Sequence, residues 1–210
     1  IYHFVYDVFC DWYLEFSKPI LNGADEAAKA ESRATAAFVR DQILALLHPF
    51  MPFITEELWA RTAEGGTPRA GLLMQSPWPT LTEISVDEAA RAEMEWLIAL
   101  ISSVRSVRAE MNVPPSARMP LLIRGAGRQT KERLARHHAL LLNLARLSDA
   151  HEAESFPKGS AQFVIGEASA ALPLGDVIDI AKERARLEKD VNKTEAEVAR
   201  FNAKLENQGF

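Results

Sequence analysis

Leu46-Leu47-His48-Pro49-Phe50-Met51-Pro52-Phe53-Ile54-Thr55-Glu56-Glu57-Leu58-Trp59 is the stretch that decides the fold. An apolar helix ends here and a second begins. Pro49 disfavours the helical region for His48, so the first helix stops there. Pro52 has a backbone angle suited to a first helical turn, and Glu56 and Glu57 lie near that helix's positive end. Phe50, Met51, Phe53, Ile54, Leu58 and Trp59 are too apolar for an ordinary loop, which predicts a buried helix–helix corner. The corner itself carries no chemistry.

Upstream of the corner, Asp25 to Leu47 reads as a helix. Its expected inner stripe is Ala30, Ala34, Ala37, Phe38, Asp41, Leu44 and Leu47, with Asp41 either paired with an arginine or at the rim. Before it, Ile1, Val5, Val8, Trp12 and Phe16 recur at helical spacing, so residues 1–17 read as an amphipathic helix that Pro19 ends or bends. Downstream, a short helix runs to about Thr62, and 64–68 is a loop by composition. Val86 to Asn112 reads as a long helix striped by Ala90, Met94, Leu97, Ile101 and Val104 and stopped by Pro114-Pro115.

The pattern then changes. Met119–Ile123, Gln162–Ile165 and Ser169–Leu172 read as strands and Thr130–Leu144 as a helix, a small α+β unit. From about Asp176 to Asn207, positions 177, 180, 184, 187, 191, 194, 198, 201 and 205 form a heptad seam. The fold class is therefore mainly α. Its parts are a helical bundle over 1–115, a small α+β unit over 116–174 and the first helix of a coiled coil over 175–210.

The corner resembles that of the anticodon-binding bundle in class I aminoacyl-tRNA synthetases charging valine, isoleucine and leucine. Phe9-Cys10-Asp11-Trp12-Tyr13-Leu14-Glu15 with Lys18, and Ser76-Pro77-Trp78-Pro79, resemble the valine family within that group. So do Arg186-Leu187-Glu188-Lys189 and the ending Lys204–Phe210, in its C-terminal coiled coil. The resemblance implies a C-terminal, tRNA-binding fragment. Valine tRNA would be its partner, together with upstream catalytic and editing domains of the same chain. At least one bundle helix would precede it, and an antiparallel helix would follow the seam. In that family a separate domain uses valine, ATP and magnesium. The His-x-Gly-His and Lys-Met-Ser-Lys-Ser type sequences that hold ATP there do not occur in this chain. Neither does a glycine-rich phosphate loop. The fragment is thus expected to carry no catalytic, cofactor or metal residues.

Composition agrees with a folded binding module. The chain has 210 residues, 48% of them apolar, and one cysteine, Cys10, which excludes an internal disulfide and a multi-cysteine zinc site. No apolar run approaches the ~20 residues of a membrane span, and a reducing cytoplasm is the expected location. The net charge of −5 hides a gradient. Residues 1–85 carry 6 basic and 11 acidic side chains, and residues 101–146 carry 9 basic and 2 acidic ones. An RNA surface belongs with the latter.

Arg105 and Arg108 are three apart on one helix face, where two guanidinium groups can grip phosphates. The competing reading pairs them with acids such as Asp41 or Glu110. Arg124, Arg128 and Lys131, with Arg133 and Arg136, form a looser basic group. On the tail, Arg186, Lys189 and Lys193 lie off the seam as further RNA candidates, although 7 bases there face 8 acids and a solvated face is the better explanation. Trp12 reads as core or as a stacking platform for an RNA base. Cys10 reads as a small buried residue, and His137-His138 as an exposed or capping pair. A rival to RNA binding is a protein scaffold held through the seam, which also allows self-association.

Overall fold

A computed structural model describes residues 1–64, 68–82, 84–175 and 177–205. Residues 65–67 of the expected loop, the start of the tail at 176 and the signature residues 206–210 lie outside these, and seam position 180 is described in its backbone only. Contacts divide the chain into two units, Ile1–Glu88 and Ala89–Phe210.

The first unit begins with a π-helical segment, Phe4–Leu14, that runs into α1 (Glu15–Leu21). Pro19 lies inside α1, which ends two residues later. Hydrogen bonds of the i→i+5 kind widen the turn, so a stripe spaced for 3.6 residues no longer shares one face. Accordingly Ile1 and Val8 are exposed, and Val5, Trp12 and Phe16 are only half-buried. Trp12 lies against the Phe16 ring, 5.7 Å away, and is not the core residue the periodicity suggested. Tyr13 donates to the Ser32 carbonyl and ties this segment to α2 (Glu26–Leu47).

Asp25 caps α2 by accepting from the Ala27 and Ala28 amides. The expected stripe of α2 holds at Ala37, Asp41, Leu44 and Leu47, which are covered, and fails at its other three positions. Ala30, Ala34 and Phe38 are exposed, whereas Ser32, Ala36, Val39, Ile43 and Leu47 are partly covered and Leu44 is buried. α2 ends at Leu47 as the proline predicts, although His48 itself keeps helical dihedrals. α3 (Pro52–Arg61) follows, with Pro52 in its first turn.

The corner is real, but its apolar residues are not its core. Phe50 is 79% and Phe53 91% exposed, and Met51, Ile54 and Leu58 are exposed too. What the corner buries is Thr55, at 2% exposure. The Thr55 hydroxyl donates to the Met51 carbonyl at 2.8 Å and lies 2.7 Å from His48 Nδ1. Glu56 turns away from its own helix end and accepts from the Leu73 and Met74 amides, opening a short 3₁₀ turn, Leu73–Gln75. Asp41 finds its arginine in Arg69, which grips it at 2.6 and 3.0 Å, stacks 3.7 Å over Trp59 and donates to Thr62.

The second unit opens with α4 (Glu88–Glu110), whose Leu97, Leu100, Ile101 and Val104 are fully buried. β1 (Met119–Arg124), α5 (Arg128–Leu144), β2 (Leu147–Glu152), β3 (Ser160–Ile165) and β4 (Ala168–Pro173) follow. The sheet order is β2-β1-β4-β3, with β1 parallel to β2 and antiparallel to β4. Consecutive burial of Leu121, Leu122 and Ile123 means that β1 is covered on both faces. β3 and β4 form a hairpin over Gly166-Glu167, with Gly166 at φ +58° as a two-residue turn requires. β2 was not visible in the sequence, because Leu-Ser-Asp-Ala-His-Glu lacks apolar alternation and mostly faces solvent. α6 (Ile180–Leu205) closes the described chain, and its seam is open: Val191 is 54%, Phe201 60% and Leu205 83% exposed. The architecture is mainly α with a small α+β unit and a long final helix.

Candidate nucleic-acid interface

The basic residues 101–146 all fall in the second unit, and the fold gathers three of them. Arg105 and Arg108 come from the last turns of α4, and Arg146 from the turn between α5 and β2. They line one pocket of about 370 Å³ with Ala109, Val113, Pro115, Leu144 and Ala145.

Arg108 is the anchor. It is 7% exposed, and it donates to the carbonyls of Ala117 (2.8 Å), Pro114 (3.3 Å) and Arg146 (3.4 Å). Its own carbonyl accepts the Val113 amide, and the Asn112 amide bonds Ala109, the two bonds of a Schellman helix end. Arg108 therefore staples the exit from α4. Burial, and then the nearby charge of Arg146, push its guanidinium below the ordinary value. It stays charged at neutral pH, because arginine starts so high.

Arg105 is exposed and donates from Nε to the Leu144 carbonyl at 3.1 Å. Arg146 is exposed and donates to the Pro115 carbonyl at 2.6 Å. It occupies the position just past the α5 cap at φ +54°, a left-handed conformation usually given to glycine. An L side chain there costs about 1–2 kcal/mol. Sequence reasoning missed Arg146. The available signal was a helix end, Asn143-Leu144-Ala145-Arg146, with no glycine where one is usual.

No carboxylate among the described residues forms an ion pair with Arg108. Asp41 is taken by Arg69 and Arg40, and it is the backbone carbonyl of Glu110 that accepts, from Arg186. The other candidates do not converge. Arg124, at the end of β1, stacks 5.1 Å from the Phe156 ring. Arg128 pairs with Glu132 at 3.2 Å and Lys131 with Glu152 at 2.9 Å. Arg136 grips Glu93 and Arg133 lies over Trp96, linking α5 to α4. His137 is half-buried against Glu93 at 2.6 Å rather than exposed, and His138 lies 3.3 Å from Asp149. Hydrogen bonds from His137 and then Arg136 hold the Glu93 carboxyl below its usual range.

On α6, Arg186 is engaged by Glu183 and Asp190, and the bond to Glu183 raises its guanidinium further. Lys189 and Lys193 are exposed, with no side-chain partner among the described residues. Cys10 is half-buried within the π-helical segment. Among the described residues no cluster of His, Cys, Asp or Glu is arranged to hold a metal ion, and no helix is long and apolar enough to cross a membrane.

The fold is a helical first unit followed by a small α+β unit and a long final helix, and comparison with known proteins gives it a family. The family model of the anticodon-binding domain of tRNA ligase matches residues 1–123, and the chain belongs to that family. A second model, the valyl tRNA synthetase tRNA binding arm, matches residues 179–210, which α6 largely fills. The chain is 56% identical over 210 residues to a valine–tRNA ligase of Caulobacter vibrioides and 54% identical over 209 to one of Mesorhizobium japonicum. A valine–tRNA ligase of Rhizobium meliloti is 52% identical over 210 residues. Each alignment takes in all of this chain and 22–23% of the relative, so the chain spans less than a quarter of their length. The likeness to anticodon-binding bundles read from the corner, narrowed to the valine enzymes by the Phe9–Glu15 stretch and the tail, is borne out.

Proposed function

We propose that this chain is a tRNA-binding region of a valine–tRNA ligase. The segment 1–115 receives the anticodon region of valine tRNA, 116–174 supports it, and the arm over 175–210 reaches the tRNA body. The catalytic and editing domains belong to the rest of the same polypeptide, and ATP and magnesium serve those domains, with none held by this fragment. The setting is the cytoplasm. The observation that carries this reading is the pair of family matches, which fall on the corner-bearing helices and on α6 in that order. Its basic groups are Arg105, Arg108, Arg124, Arg128, Lys131, Arg186, Lys189 and Lys193. The pairing of Arg128, Lys131 and Arg186 with acids leaves Lys189 and Lys193 the most available of these.

The test pairs two assays on the purified chain. Binding of a valine tRNA transcript should be measurable at low salt, and valine-dependent pyrophosphate exchange should stay at background. Exchange that survives removal of host enzyme contradicts the division of labour. Absence of tRNA binding contradicts the function itself.

A further inference from the structure

We infer that the pocket formed by Arg105, Arg108 and Arg146 is a preformed socket for one phosphodiester group of an RNA backbone, with Arg146 as its outermost cation. The inference rests on the tRNA-binding reading above and names the group bound and the residue that binds it.

Three observations lead there. First, at Arg108 and Arg146 the positive charge meets no carboxylate among the described residues. Arg108 and Arg146 bond only to backbone carbonyls, and no carboxylate among the described residues forms an ion pair with either. The α5 C-terminus supplies the Leu144 and Arg146 carbonyls, a partial negative charge of about half a unit, which is less than the charge of the arginines around it. Second, the pocket is fixed. Arg108 is locked on three carbonyls, and the Schellman end of α4 sets its backbone. A guanidinium held this way loses no further freedom when an anion arrives. Third, the backbone is strained at the residue that supplies the outermost charge. The end of α4 uses Asn112 for its left-handed residue, which is a usual choice, whereas the end of α5 uses Arg146. Glycine there would fold more easily, so the side chain has a use that outweighs the strain, and the pocket it lines provides one. Guanidinium groups suit a phosphate because their planar N–H forks match its oxygens.

The strain also supplies the test. Arg146→Gly removes the charge and relieves the backbone, so the variant should melt at the same or a higher temperature than the parent. Its affinity for a valine tRNA transcript should fall roughly 5–30-fold. The slope of log affinity against log salt should flatten by roughly 0.7–0.9 of a unit, one counterion's worth. Arg146→Lys keeps the charge and should retain most of that slope. Inorganic phosphate, titrated at constant ionic strength against chloride, should move the Arg108 side-chain Nε–H resonance in the parent and not in the glycine variant. A folded Arg146→Gly chain that binds the transcript with unchanged affinity and slope overturns the inference while leaving tRNA binding intact. A phosphate response with no loss of RNA affinity also overturns it, because the socket then serves a free anion. A parent chain that binds no transcript brings down the broader reading and this one with it.

Discussion

Arg105 and Arg108 looked equivalent in the sequence, three apart on one helix, and the structure separates them. Arg108 is buried on three carbonyls, whereas Arg105 is exposed with its Nε on the Leu144 carbonyl. Arg108→Gln strands buried acceptors, so it should cost about 1–3 kcal/mol in urea unfolding. Arg105→Gln, at an exposed residue, should cost less than Arg108→Gln. Equal effects of the two changes would mean that the staple does not hold α4's exit. Asp41 gives a second prediction. Burial pushes its carboxyl up, but hydrogen bonds from Arg69 and then Arg40 outweigh this and leave it below the ordinary 3.8. A depressed folded value stabilises the protein above the unfolded value and stops doing so as pH falls through the folded one. Asp41→Asn should therefore lower stability by about 1–2 kcal/mol at pH 7, a figure reduced for partial solvent screening. The gap to the parent should hold down to about pH 5 and close below about pH 4. A gap that widens in acid would contradict the ion pair. Asp41 was legible as anomalous, since an acid on an apolar stripe needs a partner. Its partner Arg69 was not, because it lies 28 residues away across a loop.

Among the elements, those with strong local signals were read correctly. α2, α3, α4 and α5 begin and end within about two residues of their expected positions, because prolines, an aspartate cap and long apolar stripes mark them. β1, β3 and β4 were readable from β-branched and leucine-rich runs. β2 was not, since its place is set by pairing with β1 rather than by its own residues. The corner taught a different lesson. Its turn was fixed by Pro49 and Pro52, but apolar character did not decide burial: Thr55 lies inside and Phe53 outside. α6 keeps its heptad seam, with Leu187, Val191, Val198, Phe201 and Leu205 uncovered in the single chain. Apolar seams of this kind seek a partner helix or surface. The chain should therefore self-associate in sedimentation and stop doing so when cut after Gly175. A long form that sediments as a monomer at all concentrations would contradict this.

At the scale of the whole molecule, charge separates along the chain. Residues 1–88 carry 6 basic and 13 acidic side chains, and residues 89–210 carry 18 basic and 16 acidic ones. That asymmetry was legible from composition, and the family from the resemblance of the corner, the Phe9–Glu15 stretch and the tail. The pocket was not, because it needs the end of α4 and the end of α5 brought together across 38 residues. Its cluster of three arginines is a product of the fold, not of any local motif. The most direct measurement is the affinity of the intact 210-residue chain for a labelled valine tRNA transcript at several salt concentrations. Phosphate contacts release counterions, so log affinity should fall linearly with log salt, at about 0.7–0.9 per contact. Binding that is absent at low salt, or present and indifferent to salt, would contradict the account of this chain as a tRNA-binding region.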